Sequence, residues 1–407
     1  MIPALALSAS PTAAAHPAEA PAADAIWSST ASRPQASHAG NRRTVNPSAY
    51  RAYTLDADAL EDALADAPME DSRRAEAGGA RLVVPAPTGE LVTFEVVESP
   101  VMEDGLAAAH PEIKTYAGHA VGFPDSIRID VSPLGFHASV RGDHPSWYVD
   151  PAYQGDGSLY LSYFGQHLPA TERGLVEPEL SHDEVSAVRG QDVGADIGEG
   201  PDGLVKLRTY RLALLTDPTY AEFHAPELND GSQDPASNAA VLAAKVTLVN
   251  RVNELYEDDL GVRMVLIDDT DKLNLNTEAK VNQAGGPCGP VSCYDTSGST
   301  NPVIAGGCTS PLLTRTRLVI GQIVGAGSFD VGHIGLGVDG GGLASVGVVG
   351  GNSKAQGCTG LPGPTGDFYA VDYVAHEIGH QFSGSHTFNG VQGSCSGTNR
   401  SLSLIHI

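Results

Sequence analysis
The chain has 407 residues, 41% hydrophobic and 18% charged, with 47 glycines, a composition that supports a buried core and more than one domain. Its formal net charge is −25; residues 1–203 carry 12 basic and 30 acidic side chains, and residues 204–407 carry 12 and 19. Such a balance argues against nucleic acid and anionic membranes as partners, because both demand basic surfaces.

Residues 1–24 join a short apolar run to Ala/Pro-rich text. The run reads as the back half of a secretion signal ending in small residues near Thr12-Ala13-Ala14-Ala15, or as a disordered Ala/Pro tail. No other stretch approaches the roughly 18 apolar residues needed to span a bilayer. Asp56 to Ala67 predicts a helix, with Leu60, Leu64 and Ala67 on one side. Leu82-Val83-Val84 and Leu91 to Val97 flank a turn-rich segment and predict a hairpin. Alternation at Ile127, Ile129, Val131 and at Phe136, Ala138, Val140 continues the strands, as do Trp147 to Val149 and Leu159 to Phe164. A small mostly-β region over roughly 78–168 is the expectation. Within it, Arg141-Gly142-Asp143 matches an adhesion tripeptide but reads as a turn between strands, and His119, His137 and His144 read as ordinary surface or core histidines.

Residues 169–203 are rich in Glu, Asp and Gly and read as an acidic linker, a natural place for processing cleavage. Beyond it a strand is predicted over Leu207–Leu215 and a helix over Asn238–Tyr256, where Val241, Ala244, Leu248, Val252 and Leu255 form an apolar stripe. Val262–Ile267 predicts a strand, Leu312–Val324 a helix, and Gly340 to Val349 a strand with a glycine-rich start. Those glycines lack the Gly-Lys-Ser/Thr and helix of a phosphate loop. All five cysteines (288, 293, 308, 358 and 395) follow residue 287, and in an exported protein they would form disulfides. Cys288 and Cys293 have no matched second pair to complete a metal site.

The most informative stretch is His376-Glu377-Ile378-Gly379-His380, with His386 six residues on. Positions i and i+4 share a helix face, so His376 and His380 can hold one ion, and Gly384 offers a turn that returns His386 to it. Three imidazoles suit Zn2+ and leave a fourth position for water, with Glu377 placed to reach that water as general base. Calcium has no support in the sequence.

This motif, followed by Thr387-Phe388-Asn389-Gly390, resembles the metzincin zinc endopeptidases, and among them the reprolysin-like branch of secreted bacterial proteins. Segments at 207–213, 250–253, 329–333, 340–344 and 360–367 resemble the same group. The resemblance implies an α/β catalytic domain over 204–400, a mixed sheet with a zinc-binding helix, preceded by a small mostly-β pro-region over 25–168. It implies a secreted endopeptidase acting on protein or peptide substrates, and it places Gly342, Leu343 and Ala344 at the edge of the cleft, where an extended peptide can add to the strand. The group usually has glycine where Ser383 stands; either Ser383 adopts that turn or Gly384 takes it over. It also has a methionine turn after the third histidine, whereas no methionine follows His386. Residues 401–407 read as a sequencing-adaptor artefact, so the expectation is that the natural sequence continues past Arg400. The rival expectations are a non-catalytic metal-bearing binding or adhesion protein and an inactive fragment. Residues 1–287 contain no cysteine, so latency through a pro-segment thiolate is closed. Steric cover is the expectation instead, by the β-region as a lid or by a strand laid along Gly342–Val349.

Overall fold
The computed structural model describes residues 26–30, 42–169, 206–225, 235–294 and 306–384. The expectations for residues 1–24, nearly all of 169–203, His386, Cys395 and 401–407 fall outside them.

The N-terminal half builds one antiparallel sheet. Its strands are β1 (Trp27–Thr30), β2 (Arg51–Leu55), β3 (Ala80–Pro85), β4 (Leu91–Glu98), β5 (Lys114–Ala120), β6 (Ser126–Ser132), β7 (Gly135–Arg141), β8 (Trp147–Tyr153) and β9 (Asp156–Phe164). They lie in the order β1-β2-β9-β8-β7-β6-β5-β4-β3. Helices α1 (Ala57–Leu64) and α2 (Asp104–Ala109) interrupt them, and the Asp56 carboxylate caps α1 by accepting from Ala59 N at 3.0 Å. The expected small β region is thus too modest: this is a nine-stranded sheet that recruits residues 27–30 and 51–55 as well. Trp27 explains the extension. Its ring meets Phe136 and Tyr160 edge-on, and its indole N–H donates to Val83 O at 2.8 Å, tying polar flanking text into the core. The predicted β3–β4 hairpin forms, with Val83 opposite Thr93, and the Arg-Gly-Asp tripeptide sits at the exposed β7–β8 turn.

The second half builds a mixed five-stranded sheet. Strand β10 (Arg208–Thr216) leads through α3 (Pro218–His224) to the long helix α4 (Pro235–Leu260), then β11 (Val262–Leu266). Helices α5 (Glu278–Asn282) and α6 (Ser310–Val324) precede β12 (Val331–Leu336), β13 (Gly341–Ala344) and β14 (Gly357–Gly360). The order is β11-β10-β12-β14-β13; all neighbours are parallel except the antiparallel edge pair β13–β14. The strand expected over Gly340 to Val349 stops at Ala344, because Gly347 and Gly350 take positive φ and turn the chain away. A final helical segment runs as a π-helix over Phe368–Ala375 and continues as α7 (His376–Gln381).

Helix α4 lies between the two sheets. Its apolar stripe packs on β10 and β11, as the periodicity predicts. Its other face is polar yet buried at Arg251 and Glu254, while Lys245 and Asn253 turn to the five-stranded sheet and donate to Leu214 O and Met264 O. Among the described residues no helix is long and apolar enough to cross a membrane.

Candidate active site
The site is built on α7. Backbone angles at Ala375 and His376 are right-handed helical, so the π-helical turns feed into α7 without a break. A π-helical stretch beside functional side chains is a recurrent arrangement. The Tyr256 hydroxyl of α4 donates to Ala375 O and fixes the helix from one side.

One turn of α7 separates His376 and His380, and their Nε2 atoms lie 3.0 Å apart with the rings nearly perpendicular. His380 Nδ1 is 2.7 Å from Gly384 O, an N–H donation that leaves Nε2 as a lone pair facing its neighbour. Two nitrogens bound to one zinc at about 2.0–2.1 Å can be at most about 4 Å apart, so this pair fits a shared ion. His386, the expected third ligand, lies outside the described residues. Among the described residues no group of three candidate ligands forms.

Glu377 is fully buried and points at β13. A Cβ on Gly342 would stand 2.0 Å from Glu377 Oε1, so the carboxylate occupies the space a side chain would take. The structure therefore brings together His376, His380, Glu377 and Gly342. Leu343 and Ala344 continue the same strand, buried opposite Cys358 and Gly357.

Ser383 resolves the open question of the turn. It is the one described non-glycine residue with positive φ, at 79°. Ser383 N donates to His380 O at 2.9 Å and Gly384 N to Gly379 O at 2.8 Å, the paired bonds that close a helix C-terminus. Ser383 itself takes the left-handed conformation, and Gly384 follows it.

Sequence reasoning missed the supports of α7. Gln381 Nε2 donates to Gly332 O at 2.9 Å and Lys354 O at 3.1 Å. Its Oε1 faces His333 Nδ1 at 3.3 Å, and His333 Nε2 lies 2.9 Å from Thr359 Oγ1. Burial lowers the His333 pKa to about 4, outweighing the Gln381 bond, so the ring is neutral: Nδ1–H donates to Gln381 and Nε2 accepts from Thr359. The loop after β13 adds Gly347 N to His380 O and Val348 N to Gln381 O, each at 2.9 Å. The only available signals were Gln381 beside the second histidine and His333 in a family-like segment. A second such segment is explained by Arg211, whose guanidinium grips Asp330 through two bonds of 2.9 and 3.1 Å. Disulfides Cys288–Cys293 and Cys308–Cys358 close the loops around α6, and the second ties residue 308 to β14.

A parallel-rich sheet with a glycine edge strand over a His-Glu-x-x-His helix defines a metallopeptidase. Residues 238–403 match the family model for Metallo-peptidase family M12B Reprolysin-like. The match covers about two fifths of the chain and supports a reprolysin-like zinc metallopeptidase domain over those residues. No curated protein matches the chain.

Proposed function
We propose that this protein is an exported proenzyme whose peptidase domain cleaves internal peptide bonds, with His376, His380 and His386 as zinc ligands and Glu377 as general base. The observation that carries the reading is the pair of facing Nε2 atoms at 3.0 Å, with the buried Glu377 carboxylate one residue along the same helix. Zinc held there would supply Lewis acidity, polarising the scissile carbonyl and making water acidic enough to ionise near neutral pH. Glu377 accepts the proton of the attacking water and returns it to the leaving amine. Gly342, Leu343 and Ala344 align the substrate by main-chain hydrogen bonds along the β13 edge. Cys288–Cys293 and Cys308–Cys358 support an oxidising, extracellular destination, and the region before residue 204 fits a pro-segment.

Glu377→Gln tests the assignment. The variant keeps its zinc, measured by metal analysis, and loses about 10³ in kcat/KM. Chelation abolishes wild-type turnover and added zinc restores it. Near-normal turnover by Glu377→Gln would overturn the role of the carboxylate.

A further inference from the structure
The N-terminal sheet is joined to the peptidase domain in two physically different ways. At the β11 edge the joint is apolar and main-chain. Leu266 N donates to Val101 O at 2.8 Å and Glu103 N to Leu266 O at 2.9 Å. Val101, Met102, Leu106 and Ile113 are buried in the same core as Met264, Leu266 and the inner face of α4. Along the outer face of α4 the joint is polar and paired. Arg251 bonds Asp150, and its guanidinium lies over the Tyr148 ring at 5.4 Å. Arg128 bonds Glu257, Ser139 donates to Glu254, and Thr247 donates to Asp130 at 2.8 Å. Arg263 of β11 bridges Glu257 to Glu70 of the N-terminal region.

Those charges are enclosed only because the sheet covers them. Arg251 is 4% exposed and Asp150 1%. A buried charge needs its partner, and removal of one member leaves the other uncompensated. The match is also specific, since Thr247, Arg251, Glu254 and Glu257 of α4 each meet a complementary group on β6, β7 or β8. Its location matters equally. Strand order puts β11 and β13 at opposite edges, so the bound sheet leaves the candidate substrate edge alone. The expected strand along Gly342–Val349 is not found: among the described residues β13 pairs with β14 alone.

We propose that the nine-stranded sheet is a lasting subunit of the enzyme: once the chain is cut between residues 170 and 205, it stays bound to the peptidase domain without a covalent link. The partner that this face of α4 and the β11 edge fit is the chain's own N-terminal half, held by an apolar strand edge flanked by buried ion pairs. Cleavage would then leave the two-sheet body whole.

The test needs no catalytic turnover, so it stands or falls apart from the peptidase reading. In the full chain carrying Glu377→Gln, which prevents self-digestion, a recognition sequence for a site-specific protease is placed within residues 170–205. After cutting, the two pieces are expected to co-elute as one species at low micromolar concentration in physiological salt and to part only in denaturant. Two separated, folded pieces in native buffer would overturn the proposal. Arg251→Ala is expected to weaken retention on the order of a hundredfold. Lys114→Ala, at the half-exposed Lys114–Glu98 pair inside the sheet, is expected to leave it unchanged. Should Arg251→Ala fail to fold before cutting, Thr247→Val replaces it, with an expected loss of about fivefold. Unaltered retention in the variant that folds would overturn the assignment of the polar seam.

Discussion

The two edges of the five-stranded sheet are treated in opposite ways. At β11 the free side is met by the backbone of Val101 and Glu103, and Met102 and Leu106 bury beside it. At β13 the residues are Gly341 and Gly342, and the antiparallel bond from Ser345 N to Gln356 O sets the alternation. By that alternation the main-chain groups of Gly342 and Ala344 face away from β14. An open strand edge is an invitation to any extended chain. This protein closes one edge with its own apolar segment. At the other it places glycine, where the Glu377 carboxylate approaches closely. Edge chemistry, more than the strands themselves, separates the structural side of the sheet from the side proposed to take substrate.

The largest effect is expected at the working edge. Gly342→Val places methyl-bearing carbon where Glu377 now sits, since even a Cβ would fall 2.0 Å from Oε1. We expect kcat/KM to fall about a thousandfold, comparable to loss of a general base, with zinc content retained. Steady-state kinetics with metal analysis checks it. A variant with ordinary turnover would show that the contact between strand and carboxylate is not needed.

At the closed edge, Met102→Asp puts an unpaired carboxylate into a core where Met102 is 5% exposed. Stability is expected to drop by about 3 kcal/mol, read by urea unfolding. The polar seam beside it has a pH signature. Burial raises the Glu254 pKa from 4.5 to about 7, against the bond from Ser139. A carboxyl whose folded pKa is raised contributes fully below its unfolded value and is lost as pH rises through the folded one. Stability should therefore decline between pH 4.5 and about 7, and Glu254→Gln should flatten that decline. Unfolding midpoints across that range decide it; an unchanged slope in the variant would place the titration elsewhere.

The smallest expected effect is a gain. Ser383 holds φ at 79°, a conformation that is costly with a Cβ present. Ser383→Gly should raise stability by about 1 kcal/mol and leave zinc binding intact. A loss of stability would mean that the serine hydroxyl contributes more than the backbone strain costs.

Residues that repeat or cluster were legible from sequence. The stripe from Val241 to Leu255 predicted α4, and the histidine spacing predicted the facing pair, because both depend on local periodicity. The outer face of α4 was not legible. Arg251 and Glu254 look like a solvated face, and only the partners Asp150 and Ser139, about a hundred residues earlier, make burial tolerable. Strand β1 was hidden because its one large apolar residue, Trp27, stands in polar text. The strand over Gly340 to Val349 was read too long, since glycine permits extension and turning alike, and contacts with α7 choose the turn. The Gln381–His333–Thr359 chain depends on three separated segments meeting, which no local pattern encodes.

The central claim is that the enzyme works at one sheet edge and is sealed at the other. Amide hydrogen exchange of the zinc-loaded protein, with and without a tight-binding peptide hydroxamate, measures both edges at once. The account predicts new protection at Gly342 and Ala344 and no change across Val262–Leu266. Protection gained at Val262–Leu266, or none at Gly342 and Ala344, would contradict it.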